Sequence, residues 1–120
     1  MTNIERLKDG ILGRDLFMKI LSADCERIAV ENPVPLGVYA LPPYTQIVQP
    51  YEFGHPYTKK TCLWLKGLPK LKPTNIVEPK ESYVMHKIRD SKRRSKTFTG
   101  IADAMADQWT RKYKIQLELF

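Results

Sequence analysis

The chain predicts a small α/β domain, and three observations carry that expectation. A helical pattern runs from Arg14 to Asp24 and is followed, after a short turn, by the apolar run Ile28-Ala29-Val30. A second apolar run, Thr61 to Leu65 (TCLWL), stands between Lys59-Lys60 and Gly67. A last amphipathic pattern occupies residues 97–116. Helices and strands separated by proline-rich connections build layered α/β packing.

In the first helix Leu16, Phe17, Ile20 and Leu21 recur at one-face spacing, with Lys19 outside. Gly10 and Gly13 weaken any extension toward Ile4, so the first dozen residues are expected to form a separate helical turn or a loose arm. The turn Ala23–Glu26 leads into a strand over Arg27–Glu31. Its apolar run has no alternation, which fits a strand buried on both faces of a parallel sheet. Glu31 and Asn32 then stand at the strand's carboxyl end, where open α/β sheets place ligands. A carboxylate and an amide there can recognise the donor/acceptor edge of a nucleobase; the plainer alternative is a loop acid beside a turn-forming Asn-Pro. Residues 14–31 are thus a helix–strand unit, the second half of a βαβ motif with no partner strand ahead of it, and an exposed sheet edge is expected.

Residues 33–56 carry Pro33, Pro35, Pro42, Pro43, Pro50 and Pro56, which leave room only for a short extended run at Gln46–Gln49. Tyr39, Leu41, Tyr44, Ile47, Tyr51 and Phe53 need burial, so this is an ordered loop rather than a disordered one. Residues 57–96 form a basic region with a strand at 61–65, and its end, His86 to Lys96, reads as an aperiodic loop. In the closing helix Thr97 or Thr99 caps, Asp103 and Asp107 suit the early turns, and Arg111, Lys112 and Lys114 suit the end. Its apolar face is expected to use Ile101, Ala102, Met105, Trp109 and Tyr113.

At 120 residues the chain suits one domain, 1–120. No apolar run is long enough to span a membrane and no signal peptide opens the sequence, so a soluble, cytoplasmic protein is expected. Cys25 and Cys62 form no CxxC and read as free thiols. Charge is uneven: residues 1–55 carry a net −2, residues 56–96 a net +9, and the remainder is neutral. A basic middle between neutral flanks suggests a polyanion-facing surface, with a solvated Lys-rich loop as the competing account.

Several chemistries drop out. Gly10-Ile-Leu-Gly13 lacks the third glycine and the preceding strand of a phosphate loop. His55 and His86 have no Cys or carboxylate partners at metal-ligand spacing, so no metal site is expected. Cys62 reads as a small buried hydrophobe, and Trp64 as core rather than a stacking platform. What remains is nucleic-acid binding. Lys59, Lys60 and Lys66 interleave with Tyr57 and Trp64, and Lys87, Arg89, Lys92, Arg93, Arg94 and Lys96 follow in the basic region. Such groups hold phosphates without reading sequence.

The stretches DLFMKILSADCERIAVENP, YTQIVQPYEFGHPYTKKTCLWLKGLPKLKPTNIV and SKTFTGIADAMADQW together resemble the C-terminal half of phage and prophage proteins described as DNA cytosine methyltransferase-like, over about residues 15 to 110. The resemblance implies a small, incomplete Rossmann-like methyltransferase sheet with flanking helices and a host-cell cytoplasmic setting. It implies that Glu31 would hold a flipped cytosine by its Watson–Crick edge and Asn32 would fix the loop, while the stretch FGHPYTKKTCLWLKGLP, residues 53–69, would supply backbone contacts to DNA. The Pro-Pro-Cys loop of that family is absent, because Pro42-Pro43 is followed by Tyr44. The cofactor strand is absent too, so S-adenosylmethionine is expected only if a complementing chain supplies its site.

Three function classes follow. The first is a non-catalytic or partner-dependent methyltransferase-like fragment that binds DNA, its open sheet edge covered by a second polypeptide or a homodimer. The second is a phage accessory protein that binds another protein, such as an inhibitor of a host defence enzyme. The third is an enzyme pairing Glu31 with His55 or His86, for which nothing in the spacing calls.

Overall fold

The computed structural model describes residues 2–82 and 98–118, with side chains as far as residue 111. The chain is mixed α/β. Its elements are α1 (Asn3–Leu21), β1 (Ile28–Pro33), β2 (Gln46–Val48), β3 (Tyr57–Thr58), β4 (Thr61–Lys66), β5 (Glu81–Ser82) and α2 (Thr99–Glu118). Two 3₁₀ turns, Gly37–Tyr39 and Pro50–Glu52, sit in the proline-rich stretch. The residues divide into two compact units, Met1–Ile47 with Thr61–Leu68, and Val48–Lys60 with Pro69–Phe120.

In the first unit α1 starts on a reciprocal cap: the Glu5 N–H donates to Thr2 Oγ1 at 3.1 Å, and the Thr2 N–H donates to Glu5 Oε2 at 2.8 Å. The helix then runs unbroken through Gly10 and Gly13, which corrects the expectation of a separate arm. A helical glycine costs only about 1 kcal/mol against alanine. Gly10 also has a packing reason, since a Cβ there would run into the Tyr39 ring.

β1 and β4 pair antiparallel, with Val30 opposite Trp64, Glu31 opposite Leu63 and Asn32 opposite Cys62. This corrects the parallel sheet expected around β1. The three-residue apolar run misled because Ala29 is not buried: Ile28 and Val30 turn inward while Ala29 and Glu31 are exposed. That is the period-two pattern of a strand with one wet face. The sheet order is β1-β4-β2, so β1 lies at an edge, where Pro33 is tolerated.

The core of this unit is Phe17, Cys62 and Trp64, with Met18, Leu21, Val30, Leu41 and Ile47 packed on it. Phe17 meets Trp64 edge-on, 4.9 Å between centroids at 79°. The indole Nε1 donates to the Pro42 carbonyl at 2.8 Å, so a proline of the stiff loop satisfies the one polar atom of a residue only 2 % exposed. Burial pushes the Cys62 thiol pKa up.

In the second unit β3 and β5 pair parallel, and Phe53 bridges Asn75. Val48, Phe53, Leu71, Ile101 and Ala104 are buried there. α2 turns Ala104 inward and leaves Ala102 exposed, the reverse of the expected use of Ala102. Tyr113 and the segment 86–96 lie outside the residues whose side chains are described. Gln108 clamps the 69–72 loop: its Oε1 accepts from the Lys72 N–H and its Nε2 donates to the Lys72 carbonyl, both at 2.8 Å. Trp109 Nε1 donates to the Pro69 carbonyl at 2.9 Å, completing the attachment.

Candidate nucleic-acid interface

The second unit gathers aromatic rings and lysines at the start of α2. The Gly100 N–H donates to His55 Nε2 at 3.0 Å, which assigns the ring proton to Nδ1 and ties the FGHPY turn to the helix. Only glycine fits at position 100, because a Cβ there would press on the Phe53 carbonyl. Close approach of the two backbones brings Phe98 beside His55, 5.1 Å between centroids, and beside Tyr57, 5.9 Å. Lys59 Nζ stands 5.9 Å from the centre of the Phe98 ring, at the outer limit of a cation–π contact.

Lys60 follows, exposed. All three rings are half-buried and so keep part of their surface exposed. The N-terminal end of α2 adds partial positive charge, though the Gly100 N–H is already taken by His55. Chemically the arrangement offers two ammonium groups for phosphate and an aromatic surface for a base or sugar. The clamp made by Gln108 holds a further exposed pair, Lys70 and Lys72, on a fixed loop of the same unit.

Of the expected phosphate-binding residues, Lys59 and Lys60 come together here. Lys66 belongs to the first unit, where its Nζ donates to the Ala23 carbonyl at 3.2 Å beyond the end of α1. Lys87, Arg89, Lys92, Arg93, Arg94 and Lys96 lie outside the described residues. Phe98, Lys70 and Lys72 were missed by sequence reasoning, and His55 entered only as part of the 53–69 stretch that the resemblance sets against DNA. The run FGHPYTKK did hold the signal for the first cluster, but its partner Phe98 is about forty residues away and no local rule joins them.

Glu31 and Asn32 do not converge. Strand alternation sends Glu31 to the exposed face of β1, and Asn32 to a cleft of about 230 Å³ shared with Arg14, Phe17 and Tyr39. The Arg14 Nε–H donates to the Tyr39 carbonyl at 2.7 Å, so one donor of the guanidinium is spent on the fold. The cleft exists because Gly10 and Gly13 carry no side chains, and it is smaller than the usual organic-ligand pocket.

Among the described residues no group of three His, Cys, Asp or Glu could hold a metal, and no helix is long and apolar enough to cross a membrane. Comparison of the chain with protein-family models, with curated proteins and with solved structures gave no match.

Proposed function

We propose that the chain is a non-catalytic DNA-binding protein that holds the phosphate backbone without reading sequence. The observation that carries this reading is Lys59 set beside the Phe98 ring, which in turn lies beside Tyr57 and His55, with the exposed Lys60 next in sequence. The net +9 over residues 56–96 supports it, since a basic stripe in one stretch attracts polyanions by releasing their counterions.

In the same reading the chain is a partner-dependent fragment of a cytosine methyltransferase-like protein. The Rossmann-like sheet and the S-adenosylmethionine site would then come from a second polypeptide laid along the outer edge of β1. Because Glu31 and Asn32 leave that strand on opposite faces, only one of them could meet a base directly.

The test is fluorescence anisotropy with a short duplex at about 50 and 200 mM salt. Affinity is expected to fall steeply, with each phosphate contact adding roughly 0.9 to the logarithmic slope. Lys59→Ala with Lys60→Ala should lower that slope by about one to two, and Lys92→Ala/Arg93→Ala/Arg94→Ala by about two to three. Absence of salt-dependent binding at the lower salt, or slopes in both variants unchanged from the wild type, overturns the proposal.

A second reading, an accessory protein acting on another protein, draws support from Val34, Leu36 and Val38, which stand 51–71 % exposed around the first 3₁₀ turn. Its test is recovery of one stoichiometric, nuclease-resistant protein from bacterial lysate that is lost with Leu36→Ser/Val38→Ser.

A further inference from the structure

α1 is apolar on both sides. Phe17 and Leu21 face the core of the first unit, yet six further aliphatic residues of the same helix stand 44–68 % exposed: Ile4, Leu7, Ile11, Leu12, Leu16 and Ile20. At 3.6 residues per turn these fall on two adjacent i±4 rows. One row runs Ile4, Lys8, Leu12, Leu16, Ile20, and the other Leu7, Ile11, Asp15, Lys19. The groove between them lies diametrically opposite Phe17. A helix with aliphatic rows outside its core-facing stripe carries more apolar surface than that one stripe accounts for. Six half-exposed aliphatics amount to roughly 600 Å², at the top of what a soluble monomer ordinarily leaves exposed and most of one side of a standard interface.

We infer that this face is the seat of a second copy of the chain, joined by an antiparallel α1–α1 pair across a two-fold axis. The charges on the face argue for self-association over an unrelated partner. Place the axis between Ile11 and Leu12, and Ile11 meets Leu12 of the other copy while Leu7 meets Leu16. The same register sets Lys8 opposite Asp15, and symmetry makes every one of these contacts twice.

The remaining charge, Lys19, comes beside Glu5 at the far end of the other helix. No like charges face each other in this arrangement. A parallel pairing would instead stack Lys8 on Lys8, Asp15 on Asp15 and Lys19 on Lys19. Antiparallel packing also sets the two helix dipoles head to tail. Asp15 has one weak competitor within its own chain, Arg14 Nη1 at 3.9 Å, leaving its carboxylate more than half exposed. This interface is separate from the outer edge of β1 and does not depend on DNA binding.

Sedimentation equilibrium and light scattering on the intact chain, over about two decades of micromolar concentration, test the inference. A reversible monomer–dimer equilibrium is expected. Leu12→Lys, an exposed substitution that leaves the core residues in place, should raise the dissociation constant at least tenfold with the far-ultraviolet circular dichroism of the monomer unchanged.

The register has its own test. Lys8→Glu alone and Asp15→Lys alone should each weaken the dimer severalfold by placing like charges in opposition, and the double swap should restore it. A monomer at every concentration overturns the inference. So does a dimer indifferent to Leu12→Lys, or a double swap weaker than both single variants.

Discussion

Phe17→Ala is the sharpest probe of how α1 is held. Phe17 is 5 % exposed and forms the contact between the helix and Trp64, with Cys62 in the same cluster. Deleting a buried phenyl ring costs about 3–5 kcal/mol, of which roughly 1 kcal/mol belongs to the edge-on aromatic geometry. The inward face of α1 has little to compensate with. Met18 and Leu21 are half-buried, and the Gly10–Gly13 stretch brings no side chain inward. A loss near 4 kcal/mol would take about a quarter to four-fifths of the stability usual for a single domain. With a urea slope of about 2 kcal/mol per molar, the unfolding midpoint should drop by about 2 M.

The assay is urea titration in a Trp109→Phe background, so that fluorescence reports Trp64, read in parallel with circular dichroism. Phe17→Leu should recover more than half of the loss by filling most of the volume. A midpoint shift worth less than about 1 kcal/mol for Phe17→Ala would refute the packing argument.

Other expectations follow from single contacts. Gly67 has φ of 66° and a Cβ there would press on the Glu26 carbonyl, so Gly67→Ala should lower stability by about 1–3 kcal/mol in the same titration. Gly100→Ala gains helix propensity but collides with the Phe53 carbonyl, and should therefore destabilise more than His55→Ala, which forfeits one hydrogen bond worth about 1 kcal/mol. Thiol titration should find Cys25 reactive in the native state and Cys62 only after unfolding, since one is exposed and the other fully buried. The raised Cys62 pKa means that the unfolded chain loses the thiol proton at lower pH than the folded one. The stability it contributes is therefore complete below the ordinary thiol pKa of about 8.5 and declines as pH rises above it, a decline that Cys62→Ala should remove.

How much of this fold was legible depends on whether the deciding contact is local. β4 was legible because Cys62 to Leu65 is apolar throughout and the run sits between lysines and a glycine, and burial on both faces needs that composition. α2 was legible from its apolar spacing, although Ala102 and Ala104 exchanged roles, because two alanines two positions apart carry no hydrophobic contrast. The direction of β1 was not legible. Three apolar residues fit a doubly covered parallel strand and a one-sided antiparallel edge equally, and alanine at the middle position supplies no polarity to separate them. The start of α1 was misplaced for a different reason. Gly10 reads locally as a helix breaker, while the ring of Tyr39, twenty-nine positions away in sequence, occupies the space a Cβ there would need.

The same distinction explains what became of the candidate site. Basic residues concentrated in one stretch can be counted from sequence, so the region that should face a polyanion could be named. Which lysine stands beside which ring could not, because the contact between Lys59 and Phe98 is set by His55 accepting from Gly100, a bond that no periodicity announces. The surplus apolarity of α1 is the opposite case. Ile4, Leu7 and Ile11 stand in the sequence at helical spacing, and once the helix runs unbroken through the two glycines, its two rows must be read together with Leu12, Leu16 and Ile20. The inner face of the helix fills the core of the first unit, and among the described residues the second face stays exposed. The face is better explained by what the chain meets than by how it folds.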